Sequence, residues 1–399
     1  MLIIVYYKYR SVRPRAATYL SRTIRFRGIW RNWRDAGLRF LDDRAMIRFC
    51  LFDKATVKKL ACGMAADRRM NSLNPNSKYW KRADPWRRPT CDVLDVCVLV
   101  LREMATAGYQ HTLETDLGIP RGVLGKYLAR GKSVLLHFLE SCHSARFGLL
   151  EPEVGDAAHA ALEVQHGKCP REGVKFPYAL DGSLVAVMKP ADPQLFNMYY
   201  SATKRFSAVN HILLVSSLGT IVAYRSCLPG CVTDSSGSEP IFAMLFDKTL
   251  NPMLHGALVD FGLSCYCHAY DDVAPIARPF QPTKDVRPPP RLLQIVAEFS
   301  RWVCSCRQYN EWINGSAKRG FPRMVVRQDV RFIDRMSRDM DLFFRLYNFR
   351  VREMEWSTAR VTYFEHAQAL FAEQGFSYDD VEGVFDAVDL VLHPDDDDD

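Results

Sequence analysis

From residue 92 to about residue 150 the apolar positions recur at helical spacing. Val93, Leu94, Val96, Cys97, Leu99, Val100 and Leu101 predict a dense apolar helix ending near Gly108. Thr112 to Leu117 then make a short segment, and after a break at Gly118-Ile119 Pro120 opens another predicted helix. Proline suits the first helical position because the N–H it lacks would have been unpaired there anyway. This helix turns Val123, Leu124, Tyr127 and Leu128 inward and leaves Arg121, Lys126 and Arg130 on other faces. A short helix, a glycine-containing turn and a second helix with a basic outer face form a helix-turn-helix pattern. Small helical bundles that bind no DNA produce the same pattern.

Past a polar connection with a short helix (156–165), the period becomes strand-like. Residues 178–187 read as a strand with Asp181 in its interior. Residues 207–217 and 220–227 read as a hairpin around Leu218-Gly219, and residues 256–260 as a further strand. A helix over roughly 239–249 is expected to be capped near Asp234-Ser235-Ser236. One long helix starts at about Leu292 and includes Glu298, Trp302 and Glu311. Residues 327–352 read as amphipathic helices with Phe332, Met336, Met340 and Leu342-Phe343-Phe344 as core. Strand, hairpin, helix, strand and then helices predict a mixed α/β layout.

The 399 residues divide by this reading into four parts: a basic arm and linker (1–90), a helix-turn-helix-like domain (91–150), the α/β domain (175–325) and a helical carboxyl-terminal region with an acidic tail (326–399). The 48% hydrophobic and 25% charged fractions exclude wholesale disorder. No apolar run approaches the roughly 20 residues of a membrane span, and Leu2 to Tyr7 is too short for a signal-peptide core, so neither membrane insertion nor secretion is expected. The net charge of +7 is uneven: residues 1–90 carry a large excess of Lys and Arg, and the remainder is net acidic. A basic third on an acidic body points to an anionic polymer, nucleic acid first, and to the nucleus. Tyr79-Trp80-Lys81-Arg82 and Trp86-Arg87-Arg88 interleave aromatics with cations. They can stack on bases while neutralising phosphates, or simply pack as a linker. The terminal run Asp395 to Asp399 can compete with DNA for the basic arm.

The twelve cysteines contain no CxxC pair, and several, such as Cys97 and Cys304, sit in apolar segments. They read as reduced core residues of an intracellular protein rather than zinc ligands. The carboxylates say more. Asp181 in Ala-Leu-Asp-Gly and Asp260 in Leu-Val-Asp-Phe-Gly lie in apolar strand segments, where an ionised group is costly unless paired or bound to a cation. Gly182 and Gly262 leave room for a close ligand. A third acid, Glu311, sits on a helix beside Asn310, near Arg307 and Lys318. Three carboxylates on adjacent strands and a facing helix could hold two Mg²⁺ or Mn²⁺ ions, which prefer oxygen ligands and serve phosphodiester chemistry. Taken singly, such an aspartate is more commonly a turn cap at a strand end, so it is the joint pattern that counts.

These residues fall into blocks. Leu180-Asp181-Gly182-Ser183, then Tyr200 and Lys204 through Asn210, then Leu228-Pro229-Gly230-Cys231-Val232-Thr233-Asp234-Ser235 resemble successive blocks of the PIF/Harbinger-type DDE transposases. Val259-Asp260-Phe261-Gly262 and Arg278-Pro279-Phe280 are similar to that family's later blocks, and Arg307, Glu311, Gly315 and Lys318 keep its spacing. Val259, Leu263, Ser300 and Asn314 depart from its pattern.

The resemblance covers roughly residues 175–325 and implies an RNase H-like mixed sheet with flanking helices, preceded by the all-α helix-turn-helix region. It implies a DDE-type nuclease or transposase: Asp181, Asp260 and Glu311 as catalytic residues and ligands of two divalent ions, Asp234 as an auxiliary, and Lys204, Arg307 and Lys318 on phosphate. DNA such as a transposon end would be held by Arg121, Lys126, Arg130, Arg87 and Arg88, with room for a separate DNA-binding partner protein or a homo-oligomer. Two other readings stand beside it: a domesticated DNA-binding protein that keeps the fold without cutting, and a protein-interaction scaffold using the acidic carboxyl end.

Overall fold

The computed structural model describes residues 42–354 except 75, 77, 79–90, 108–112, 115–118, 172, 261–262, 264–275 and 281–289. Arg87, Arg88, most of the basic arm, the glycines at 118 and 262 and the acidic tail lie outside the described residues. The chain divides into two compact units, residues 1–103 with 108–131, and residues 104–107 with 132–399.

The first unit is helical. Helix α1 (Asp43–Cys50) begins where Asp42 accepts a hydrogen bond from the Ala45 amide at 2.7 Å, and α2 (Lys54–Ala66) where Asp53 accepts from Thr56 at 2.7 Å. Helix α3 (Val93–Met104) opens on a reciprocal pair: the Asp95 amide donates to the Asp92 carboxylate and the Asp92 amide to that of Asp95, both at 2.9 Å. Val96, Cys97 and Val100 are buried as expected. A Cβ on Gly131 of α4 (Arg121–Glu140) would overlap the side chains of Val96 and Val100, so glycine sets the approach of α4 to α3. Leu124 and Leu128 are buried, but Val123, expected inward, is exposed: it precedes the apolar stripe by one position. Arg121, Lys126 and Arg130 are exposed.

The second unit is mixed α/β, as the period change predicts. Its elements run α5 (Pro152–His166), β1 (Tyr178–Ala186), α6 (Pro193–Tyr199), β2 (Tyr200–Ser201), β3 (Phe206–Ser216), β4 (Ile221–Pro229), α7 (Asp234–Gly237), α8 (Glu239–Phe246), β5 (Ala257–Val259), β6 (Ile276–Ala277), α9 (Pro290–Cys306), α10 (Gln308–Gly320) and α11 (Ile333–Met354). The sheet order is β2-β3-β1-β5-β6, with β4 also paired to β3. β1, β3 and β4 form an antiparallel meander, whereas β5 and β6 add in parallel on the far side of β1.

Alternation along β1 assigns its two faces. Tyr178 and Leu180 join Ile212, Leu214, Ile241, Phe242 and Leu245 in a core that α8 covers. On the opposite face α11 packs on β4: the Phe344 ring lies 4.9 Å from that of Tyr224 and 6.1 Å from that of His211. The buried Asn348 accepts from the Ile221 amide at 2.8 Å and donates to the Ile221 and Arg146 carbonyls at 2.7 and 3.1 Å. The expected core residues Met336, Met340 and Leu342 to Phe344 are buried, but Phe332 is exposed, in the short turn ahead of α11. The expected single long helix is two, broken at Arg307. Among the described residues no helix is long and apolar enough to cross a membrane.

Candidate active site

Leu180 and Val259 form the last parallel pair between β1 and β5. Asp181 and Asp260 are the next residue on each strand, so the two acids stand side by side with their side chains on one face. Asp181 faces away from the core with Ser183 and, across the β1–β3 pairing, with Leu213 and His211. Asp181 lies within β1, as expected, and partly buried, whereas Asp260, expected in a strand, is exposed one residue past β5.

Arg307 joins them. It sits at the joint between α9 and α10, where the break directs its largely buried side chain toward the sheet. Its Nη1 donates to Asp260 Oδ1 at 3.1 Å, and its Nη2 lies 3.9 Å from Asp181 Oδ2. Its Nε is buried without an acceptor. Lys318, half-buried on α10, acts on the same aspartate: burial draws its ammonium below the usual lysine range, and the Asp181 charge opposes that. Burial raises the Asp181 carboxyl to about 6. Arg307 and the Gly182 amide, which donates to Asp181 Oδ1 at 2.9 Å, work against the rise, and Asp234 and Asp260 reinforce it.

Glu311 lies in the first turn of α10, four residues after Arg307 and seven before Lys318, which puts it on the helical stripe of the two cations that act on Asp181. It is exposed, and no hydrogen bond or ion pair links it to either aspartate. Lys204 is exposed in the turn between β2 and β3, and no contact joins it to the acids.

The cap expected near Asp234 falls on Thr233 instead. Thr233 caps α7, its Oγ1 accepting from the Ser236 amide at 3.2 Å, which frees Asp234 to turn toward β1. There it accepts a hydrogen bond from Asn210 Nδ2 at 2.6 Å and lies against Gly182, where a Cβ would overlap its carboxylate. Gly182 and Asn210 belong to the α8 face, so Asp234 backs the strand beneath Asp181 rather than joining Asp260 in front of it.

Neither the packing of Gly182 against Asp234 nor the place of His211 is marked in the sequence. At a bulge between β3 and β4, Cys227 has φ 57° and its amide donates to His211 Nδ1 at 3.1 Å. Burial, with Lys318 adding to it, holds the imidazole down at about 3, so it is neutral. No sequence pattern marks a bulge whose partner is a side chain.

The donor chemistry suits hard cations: carboxylate oxygens at the mouth of a parallel strand pair, with one cationic group already accommodated between them. Among the described residues no three His, Cys, Asp or Glu side chains are gathered as a ligand set. The cysteines the structure describes are thiols, six of them buried; Cys304, expected in the core, is exposed because it falls on the outer side of α9. Comparison of the chain with family models, with characterised proteins and with solved structures returns no match.

Proposed function

We propose that the chain is a divalent-metal-dependent DNA endonuclease of the DDE transposase type, acting on phosphodiester bonds by hydrolysis and strand transfer. The observation that carries this reading is the side-by-side placement of Asp181 and Asp260 at the end of a parallel strand pair, spanned by Arg307, with Glu311 on the helical stripe between Arg307 and Lys318. The strand order supports an RNase H-like fold: an antiparallel three-strand meander whose first strand is flanked by two parallel additions.

In this reading Asp181 and Asp260 hold Mg²⁺ or Mn²⁺, and Glu311 completes the set. When bound there, such ions would supply activation of a water or 3′-hydroxyl and charge stabilisation of the attacking and leaving oxygens at the phosphorus. Asp234, through Gly182, fixes the strand that presents Asp181. Lys318 offsets the negative charge of the acids and, with Lys204, meets phosphate. The exposed Arg121, Lys126 and Arg130 and the basic arm grip DNA, such as a transposon end, in the nucleus.

One observation favours a second reading, a domesticated DNA-binding protein that keeps the fold: Glu311 is exposed and unconnected to the aspartates. Nicking of supercoiled DNA separates the two. Mn²⁺-dependent nicking lost in Asp181→Asn and Glu311→Gln supports the nuclease. Salt-sensitive DNA binding without nicking, unchanged by both substitutions, supports the binding protein.

A further inference from the structure

We infer that Arg307 is a built-in counter-ion of the acid pair, which a divalent cation must displace before it can take both aspartates; this rests on the metal-dependent reading of the site. The guanidinium lies between the two carboxylates that the register sets side by side, 3.1 Å from Asp260 and 3.9 Å from Asp181. A planar, permanently charged fork suits that position, since two of its nitrogens reach separate carboxylates at once.

The fit is incomplete in an informative way. One contact is a hydrogen bond, the other a longer ion pair, and the buried Nε has no acceptor. A buried donor left unpaired is destabilising, so the guanidinium is held by charge more than by hydrogen bonds. Its backbone stands at the joint of α9 and α10, with helical φ and ψ but outside both helices. Lys318 on α10 is a second cation that feels the Asp181 charge. Arg307 therefore holds the aspartates in the absence of divalent ions and leaves them when an ion binds both.

Mn²⁺ binding to the full-length chain, followed by titration calorimetry and by the loss of the free-ion paramagnetic resonance signal, tests this without any activity readout. Arg307→Gln is expected to bind Mn²⁺ roughly tenfold or more tighter than the unsubstituted chain, because an opposing charge has left the carboxylates. Arg307→Lys keeps a cation but loses the fork, and is expected to fall between the two; it carries the test if the glutamine variant does not fold. Unchanged or weaker binding in both variants, with binding in the unsubstituted chain that Asp181→Asn abolishes, overturns the counter-ion role and leaves the metal site standing. Absence of Mn²⁺ binding in every variant overturns both.

Discussion

The Asp234 carboxylate occupies the space that a Cβ on Gly182 would fill, and the Asn210 amide holds it there at 2.6 Å. Gly182→Ala is therefore expected to cost about 1–3 kcal/mol of stability by overpacking and to lower Mn²⁺-dependent nicking by shifting the strand under Asp181. Asp234→Ala removes the obstacle. In urea unfolding the double variant is expected to regain most of the stability that Gly182→Ala loses, a coupling that additive effects would contradict.

Asp181 makes stability depend on pH. Its carboxyl titrates near 3.8 in an unfolded chain and near 6 in the fold. Between these values the folded chain keeps a proton that the unfolded chain releases, so stability falls as pH rises through this window, and the whole penalty is present above 6. Asp181→Asn is expected to stabilise the protein at pH 8 by up to about 3 kcal/mol, and hardly at all at pH 4. Thermal unfolding of both proteins at the two pH values checks this; equal differences would contradict it.

His211 tilts stability the other way. Its ring titrates near 6.5 unfolded and about 3 when buried, so its contribution is complete above pH 6.5 and is lost as pH falls toward 3. Its imidazole resonances are expected to stay those of a neutral ring from pH 8 to pH 5. His211→Leu orphans the Cys227 amide and is expected to cost about 1–3 kcal/mol at pH 7, measured by urea unfolding.

Asn348 ties α11 to the start of β4 through both backbone groups of Ile221. Asn348→Leu leaves that amide and carbonyl unpaired in a dry setting and is expected to cost about 2–4 kcal/mol. Hydrogen exchange at the Ile221 amide is expected to quicken in the variant, and unchanged protection would contradict the role.

The mixed α/β layout and the two aspartates were legible because period and polarity conflict there: a charge inside Ala-Leu-Asp-Gly or Leu-Val-Asp stands out against an apolar strand. The turn of Asp234 toward β1 was not, since Asp-Ser-Ser reads as a cap and only the fold reveals that Thr233 does the capping. The helix break at Arg307 was hidden because the apolar stripe through Trp302, Val303, Cys306, Tyr309 and Ile313 continues across it. Val123 sits at the edge of its stripe, where one helical position decides whether a valine faces in or out.

Crystals of the full-length protein soaked in Mn²⁺, with anomalous scattering recorded at the manganese edge, measure the central relationship directly. The expected result is an anomalous peak within about 2.5 Å of carboxylate oxygens from both Asp181 and Asp260, with the Arg307 guanidinium moved off them. Saturating Mn²⁺ with no peak at either aspartate, and Arg307 still spanning the pair, would contradict a shared divalent site.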